Sequence, residues 1–89
     1  MMKVLYEESF EKDLKSVKDA KQLKRIKGII DEVKNAKRLR EIRNIKKLRN
    51  FETYYRIRMG DYRIGIEFVE ETIIFTRFLH RKDIYKYFP

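Results

Sequence analysis

The chain has 89 residues, 43% hydrophobic and 42% charged, with no cysteine and a single histidine. That length leaves no room for two cores, so residues 1–89 are read as one domain, and the apolar content argues against wholesale disorder. The missing cysteines exclude disulfides and thiolate chemistry, the lone histidine excludes zinc sites that need two imidazoles, and a net charge of +9 suits a polyanion such as nucleic acid, or an acidic protein.

Glu7 and Glu8 interrupt the N-terminal stretch before any apolar run of signal-peptide length, and a later apolar run at about Ile73–Phe75 is too short to span a membrane. A cytoplasmic protein without a membrane partner is expected. A short extended segment, Lys3 to Tyr6, precedes Phe10, Leu14 and Val17, whose intervals of four and three predict an amphipathic helix with Ser9 as its N-cap. Leu23, Ile26, Ile30 and Val33 then form a second helical stripe, backed by Lys21, Lys24, Arg25, Lys27, Asp31 and Lys34. The two predict a helical hairpin. Gly28, costly inside a helix, is expected to mark close packing.

Residues 35–44 read as a basic connector, with Leu39 and Ile42 in a last helical turn. From Ile45 the hydrophobic period becomes two. Ile45 to Leu48 predicts a strand, and Asn50 suits a left-handed turn after it. Tyr55, Ile57 and Met59 alternate with Arg56 and Arg58; Tyr62, Ile64, Ile66 and Phe68 alternate with Arg63, Gly65 and Glu67. Gly60–Asp61 and Glu70–Glu71 are the expected turns of a meander whose third strand runs from Thr72 to His80, and Asp83 to Phe88 predicts a final helical turn. The whole is an α+β fold, with the N-terminal helical hairpin packed on one face of a small antiparallel sheet. The other face is expected to be exposed and to carry the arginines.

A two-residue hairpin at Gly60–Asp61 sets Arg58 opposite Arg63 and Arg56 opposite Gly65. Like charges facing each other cost stability, which points to an anion between them, and Gly65 would lower the floor into a shallow basic hollow with Glu67 as its partial counterweight. A plainer reading stands beside this one, since any exposed sheet face must be polar. Repeated arginine rather than lysine favours a bidentate grip on phosphate. Tyr85, close in sequence to His80, Arg81 and Lys82, is the aromatic best placed to stack on an unpaired base. His80, at the exit of the third strand, is either a structural hydrogen-bonder or the one group suited to proton transfer near neutrality.

The segments KKLRNFETYYRIRMGDYRIGIEF and TIIFTRFLHRKDIYKYF, with FEKDLKSV near the start, resemble the RelE/ParE toxin superfamily in its RelE-like branch over essentially the whole chain. The resemblance implies a toxin of a type II toxin–antitoxin system, held by a cognate antitoxin. It implies entry into the ribosomal A site and cleavage of mRNA there by attack of a 2′-hydroxyl on the adjacent phosphate, with no metal or cofactor. Its site would comprise Arg56, Arg58, Arg63, Arg81 and Tyr85, with His80 as a candidate acid or base and Lys46, Lys47, Arg49 and Lys82 contacting RNA. Here Arg56 and Arg58 stand where some relatives carry lysine, and Asn50 stands for a common glycine. The competing expectations are a ParE-like gyrase inhibitor without chemistry of its own and a non-cleaving RNA-binding module.

Overall fold

Local chemistry accounts for the two long helices. Glu8 and Glu11 lie in the first turn of α1 (Glu8–Lys15) and Lys12 and Lys15 in its last, each sign opposing the helix dipole. The carboxylate of Asp19 caps α2 (Ala20–Asn35) by accepting the Lys21 N–H at 2.9 Å. Ser9 caps nothing. It lies inside α1, and its hydroxyl donates to the Thr76 carbonyl at 2.6 Å, fastening the helix to the sheet.

The computed structural model describes residues 2–89. Around the helices it places β1 (Lys3–Tyr6), a 3₁₀ turn at Leu39–Glu41, β2 (Ile45–Lys47), β3 (Tyr54–Met59), β4 (Tyr62–Val69), β5 (Thr72–His80) and a one-turn α3 (Ile84–Tyr87). The strands form one sheet in the order β1-β5-β4-β3-β2. The meander is antiparallel as expected, but β1 pairs with β5 in parallel, so the sheet is mixed. Asn44, Asn50, Glu70 and Glu71 join Gly60 at positive φ, so side-chain-bearing residues take left-handed turn positions that glycine would fill more cheaply.

The alternating apolar residues of β3 and β4 face the helical hairpin. Ile57, Ile64, Ile66, Ile73 and Phe75 are essentially inaccessible, packed with Phe10 of α1 and with Ile26 and Val33 of α2. In β5 the alternation is interrupted. Ile66 pairs with Phe75 whereas Gly65 pairs with Arg77, which leaves Thr76 as an inserted bulge residue whose hydroxyl donates to the Gly65 carbonyl at 2.8 Å. Asp13 secures this irregular stretch, accepting from the Phe78 N–H and from Arg77 Nε, both at 2.8 Å, and from Arg77 Nη2 at 3.1 Å. The hydrogen bond to Asp13 holds the Arg77 guanidinium pKa above its ordinary value in spite of burial.

Three expectations are corrected here. The second sheet face is only half open, because Ile84 and Phe88 pack on it with Leu48, Tyr54 and Leu79. Gly65 does not floor an empty hollow: a Cβ there would stand 2.8 Å from the Phe88 ring, so the missing side chain makes the seat for Phe88. Gly28 marks no close packing either, since a Cβ would meet nothing within 4 Å. It borders a cleft of about 710 Å³ between α2 and the end of β3.

Two outcomes follow for urea unfolding. Gly28→Ala should stabilise by up to about 1 kcal/mol, the helix-propensity difference, because the added methyl displaces nothing. Gly65→Ala should destabilise by about 1–3 kcal/mol through overpacking, and combining it with Phe88→Ala should cost clearly less than the sum of the two single changes.

Candidate functional site

The hairpin register is the one expected. Arg58 stands opposite Arg63 and Arg56 opposite Gly65, while Lys46 of β2 lies on the other side of Arg56. Lys46, Arg56, Arg58 and Arg63 therefore share the sheet face that turns away from α1 and α2. Backbone carbonyls orient two of these guanidinium groups. Arg56 Nη1 donates to the Asn44 carbonyl at 3.0 Å, and that carbonyl also accepts the Arg58 N–H at 3.1 Å. Arg63 Nη1 donates to the carbonyls of Gly60 at 2.8 Å and Tyr62 at 2.9 Å. Arg56 Nε is buried and has no hydrogen-bond partner among the described residues.

A carbonyl aims a cation without neutralising it, and no carboxylate undoes that effect here. Among the described residues none lies within ion-pairing distance of Arg56, Arg58 or Arg63. The expected counterweight, Glu67, instead accepts a hydrogen bond from the Thr53 hydroxyl at 3.1 Å. The Arg63 pKa is lowered first by burial and then by Arg56, with Arg58 and Arg81 acting in the same direction and Tyr85 against them. Those four groups are thus within electrostatic reach of Arg63, which stays a cation at neutral pH.

Arg81 reaches the group because its N–H donates to the Asp61 carbonyl at 2.7 Å, tying the end of β5 to the β3–β4 turn. Its side chain is only loosely held, with Nε 3.9 Å from an Asp61 carboxylate oxygen and both side chains mostly exposed. In α3, Ile84 is fully buried, whereas its neighbour Tyr85 is 65% exposed. The buried residue anchors the turn and leaves the tyrosine ring free for a partner.

The remaining expected residues lie elsewhere. His80 is not brought to the arginines: it pairs with Tyr62, its ring stands edge-on to the Tyr62 ring at 5.3 Å, and it borders a cleft with Val17 and Gln22 on the helix side. Its Nδ1 accepts the N–H of the exposed Lys82 at 3.1 Å. Lys47 pairs with Tyr55, which puts it on the helix-side pleat. Together with Lys46 and Arg49 it borders a cleft formed by the β2–β3 loop and Tyr85. The reading of the sequence missed Asn44, whose carbonyl orients β3, and Phe88, which holds the C-terminal turn down; the unexplained Gly65 was the available signal for the latter. Among the described residues no three His, Asp or Glu side chains gather as a metal site, and no helix is long and apolar enough to cross a membrane.

The facing arginines carry a stability cost that can be measured. Arg58→Glu turns a repulsive cross-strand pair into an attractive one and should stabilise by about 0.5–1 kcal/mol, read as a rise of roughly 2–8 °C in the thermal midpoint of a domain this size.

Comparison with known proteins agrees with this architecture. The family described as the ParE toxin of the type II toxin–antitoxin system parDE matches residues 4–85. Toxin RelE3 of Methanocaldococcus jannaschii is 54% identical over 88 residues, spanning 99% of this chain and 100% of that protein. The fold is similar to the RelB–RelE antitoxin–toxin complex of Methanococcus jannaschii, with a TM-score of 0.80 and 52% identity over 96% of this chain and 99% of that one. The archaeal RelE–RelB complex from Pyrococcus horikoshii OT3 gives a TM-score of 0.73 over 90% of this chain and 94% of that one; at 23% identity the likeness is one of fold. A family match over nearly the full length, and a relative sharing more than half of the residues, make this chain a member of the RelE/ParE superfamily and a RelE-type toxin of a type II toxin–antitoxin system.

Proposed function

We propose that the protein is a ribosome-dependent mRNA endoribonuclease that cleaves the transcript in the A site. The observation that carries this reading is the register that sets Arg58 opposite Arg63 with Arg56 on the same face, with Arg81 and Tyr85 within electrostatic reach of Arg63 and, among the described residues, no carboxylate paired to the three strand arginines. In the proposed reaction the 2′-oxygen of one nucleotide attacks the adjacent phosphorus, giving up its proton to solvent. The bond to the 5′-oxygen of the next nucleotide breaks, leaving a 2′,3′-cyclic phosphate and a 5′-hydroxyl that takes up a proton.

Charge accumulates on the non-bridging phosphate oxygens during that step. Preorganised guanidinium groups would stabilise it more than they stabilise the ground state, which is the condition for acceleration. Arg58, Arg63 and Arg81 are assigned that role, and Arg56, held at the Asn44 carbonyl, supports the field. Tyr85 would stack on a base next to the scissile bond and hold the 2′-oxygen in line. Lys46 and Arg49 would meet the flanking phosphates. His80 is assigned no step in this scheme: its ring stands edge-on to Tyr62 and borders the cleft on the helix side.

A cognate antitoxin is the second proposed partner. The solved relatives are described as RelB–RelE antitoxin–toxin complexes, and an acidic antitoxin segment lying on the basic face would compete with RNA for the same guanidinium groups. An alternative reading, a toxin that binds a protein target such as gyrase and does no chemistry, draws on the matched family's description as ParE. It leaves the unneutralised arginine group without a purpose.

Primer extension on mRNA translated by purified ribosomes tests the proposal. The protein should produce cuts at A-site codons, and Arg58→Ala and Arg63→Ala should each slow cutting by about 10²–10³-fold, the usual loss for one electrostatic contact to a transition state. Intact mRNA in the presence of folded protein would overturn the nuclease reading, and trapped gyrase–DNA cleavage complexes would establish the alternative.

A further inference from the structure

Beyond the arginine group, the β2–β3 loop carries a feature that the proposed chemistry does not use. Residues 48–53 fold back on themselves through Leu48 N–H donating to the Tyr54 carbonyl at 2.9 Å and through Asn50 at φ +69. The loop buries Leu48 beneath α3, yet leaves Phe51 42% exposed. A partly exposed ring beside a cleft offers apolar area for a partner to cover. Phe51 is also held in orientation. Its ring meets Tyr54 edge-on at 5.7 Å, and Tyr54 meets Phe88 edge-on at 5.5 Å, so three rings run from the seated C-terminus to the loop.

Phe51 and Tyr85 border the same cleft of about 630 Å³, along with Lys46, Lys47, Arg49 and Glu52. An adjoining cleft of about 440 Å³ again contains Arg49, Phe51 and Tyr85. Three cations against one carboxylate give the cleft a positive balance, and its size lies in the range of small-molecule sites. Exposed rings set among lysines and arginines are the composition that binds unpaired nucleobases, with cations on the phosphates and stacking on the π-faces. Phenylalanine offers a base nothing but that face, so the contact tolerates any sequence.

The geometry points to a second base site: the cleft between the β2–β3 loop and Tyr85 accepts an unpaired base of single-stranded RNA stacked on Phe51, with the adjoining phosphate held by Arg49 and Lys46. This rests on the reading of RNA as the substrate, which it extends to a nucleotide beyond the scissile step. Phe51 is a positioning residue, because it holds the strand and touches no reacting atom.

Fluorescence anisotropy with a labelled single-stranded RNA hexamer and the full-length protein tests the site without ribosomes. Phe51→Ala should weaken binding about tenfold, within the range measured for removing a stacking ring. Phe51→Leu should weaken it similarly, since it restores apolar bulk without a π-face, and Phe51→Trp should recover it, which also rules out misfolding as the cause. The salt dependence should be the same in all three, whereas Arg49→Ala should lower its slope by about 0.7. Equal binding by the parent and Phe51→Leu would overturn the base site, as would a hexaglutamate peptide that binds with the same dependence on Phe51. The two readings fail separately. Binding that depends on Phe51 stands even if translated mRNA stays intact, and cleavage by Phe51→Ala with unaltered hexamer binding removes the base site while leaving the nuclease.

Discussion

Everything on the arginine face depends on how firmly the β3–β4 hairpin is held in register. Ile57 and Ile64 face each other at 1% and 0% exposure beneath the two long helices, and a slip of one residue would turn them outward and carry the arginines into the core. Expelling water from that isoleucine layer is therefore what sets Arg58 across from Arg63. The repulsion between the two cations amounts to at most about 1 kcal/mol, against about 1.5–3 kcal/mol for each large apolar side chain buried. The core wins easily, and the surface can be given over to an arrangement that opposes stability.

Given that register, the handling of charge follows. A carboxylate next to each arginine would have relieved the strain and cancelled the field. Main-chain oxygens of Asn44, Gly60 and Tyr62 take that place, and they fix direction at little cost in charge. The molecule does make a strong ion pair elsewhere: Arg77 and Asp13 form a bidentate contact that is largely shielded from water. The contrast separates two uses of one residue type, with Arg77 stitching α1 to the sheet and Arg56, Arg58 and Arg63 left without a carboxylate among the described residues.

Much of this was legible in the sequence because period-two alternation with a Gly-Asp turn specifies both a register and a face. Arg58 against Arg63, and Arg56 against Gly65, needed only that rule. The same rule misleads in β5. Counting by twos from Ile73 and Phe75 sends His80 to the arginine side, but the inserted Thr76 reverses the parity, so Phe78 is buried and His80 lies with it under the helices. A bulge of one residue has no compositional mark. The C-terminal turn was visible as a helical segment, yet nothing in Ile84 or Phe88 says which face it will cover, and a glycine that receives a ring looks the same as a glycine that leaves a hole.

The eight-residue length of β4 has a consequence of its own. At about 3.3 Å per residue the strand is roughly 26 Å long, with Arg63 at one extremity and the Glu70–Glu71 turn just past the other. That span is about three screening lengths at physiological ionic strength, so the acidic turn does not dampen the cationic end. The two ends of the strand thus differ in local charge at a separation over which salt leaves each field to act largely by itself.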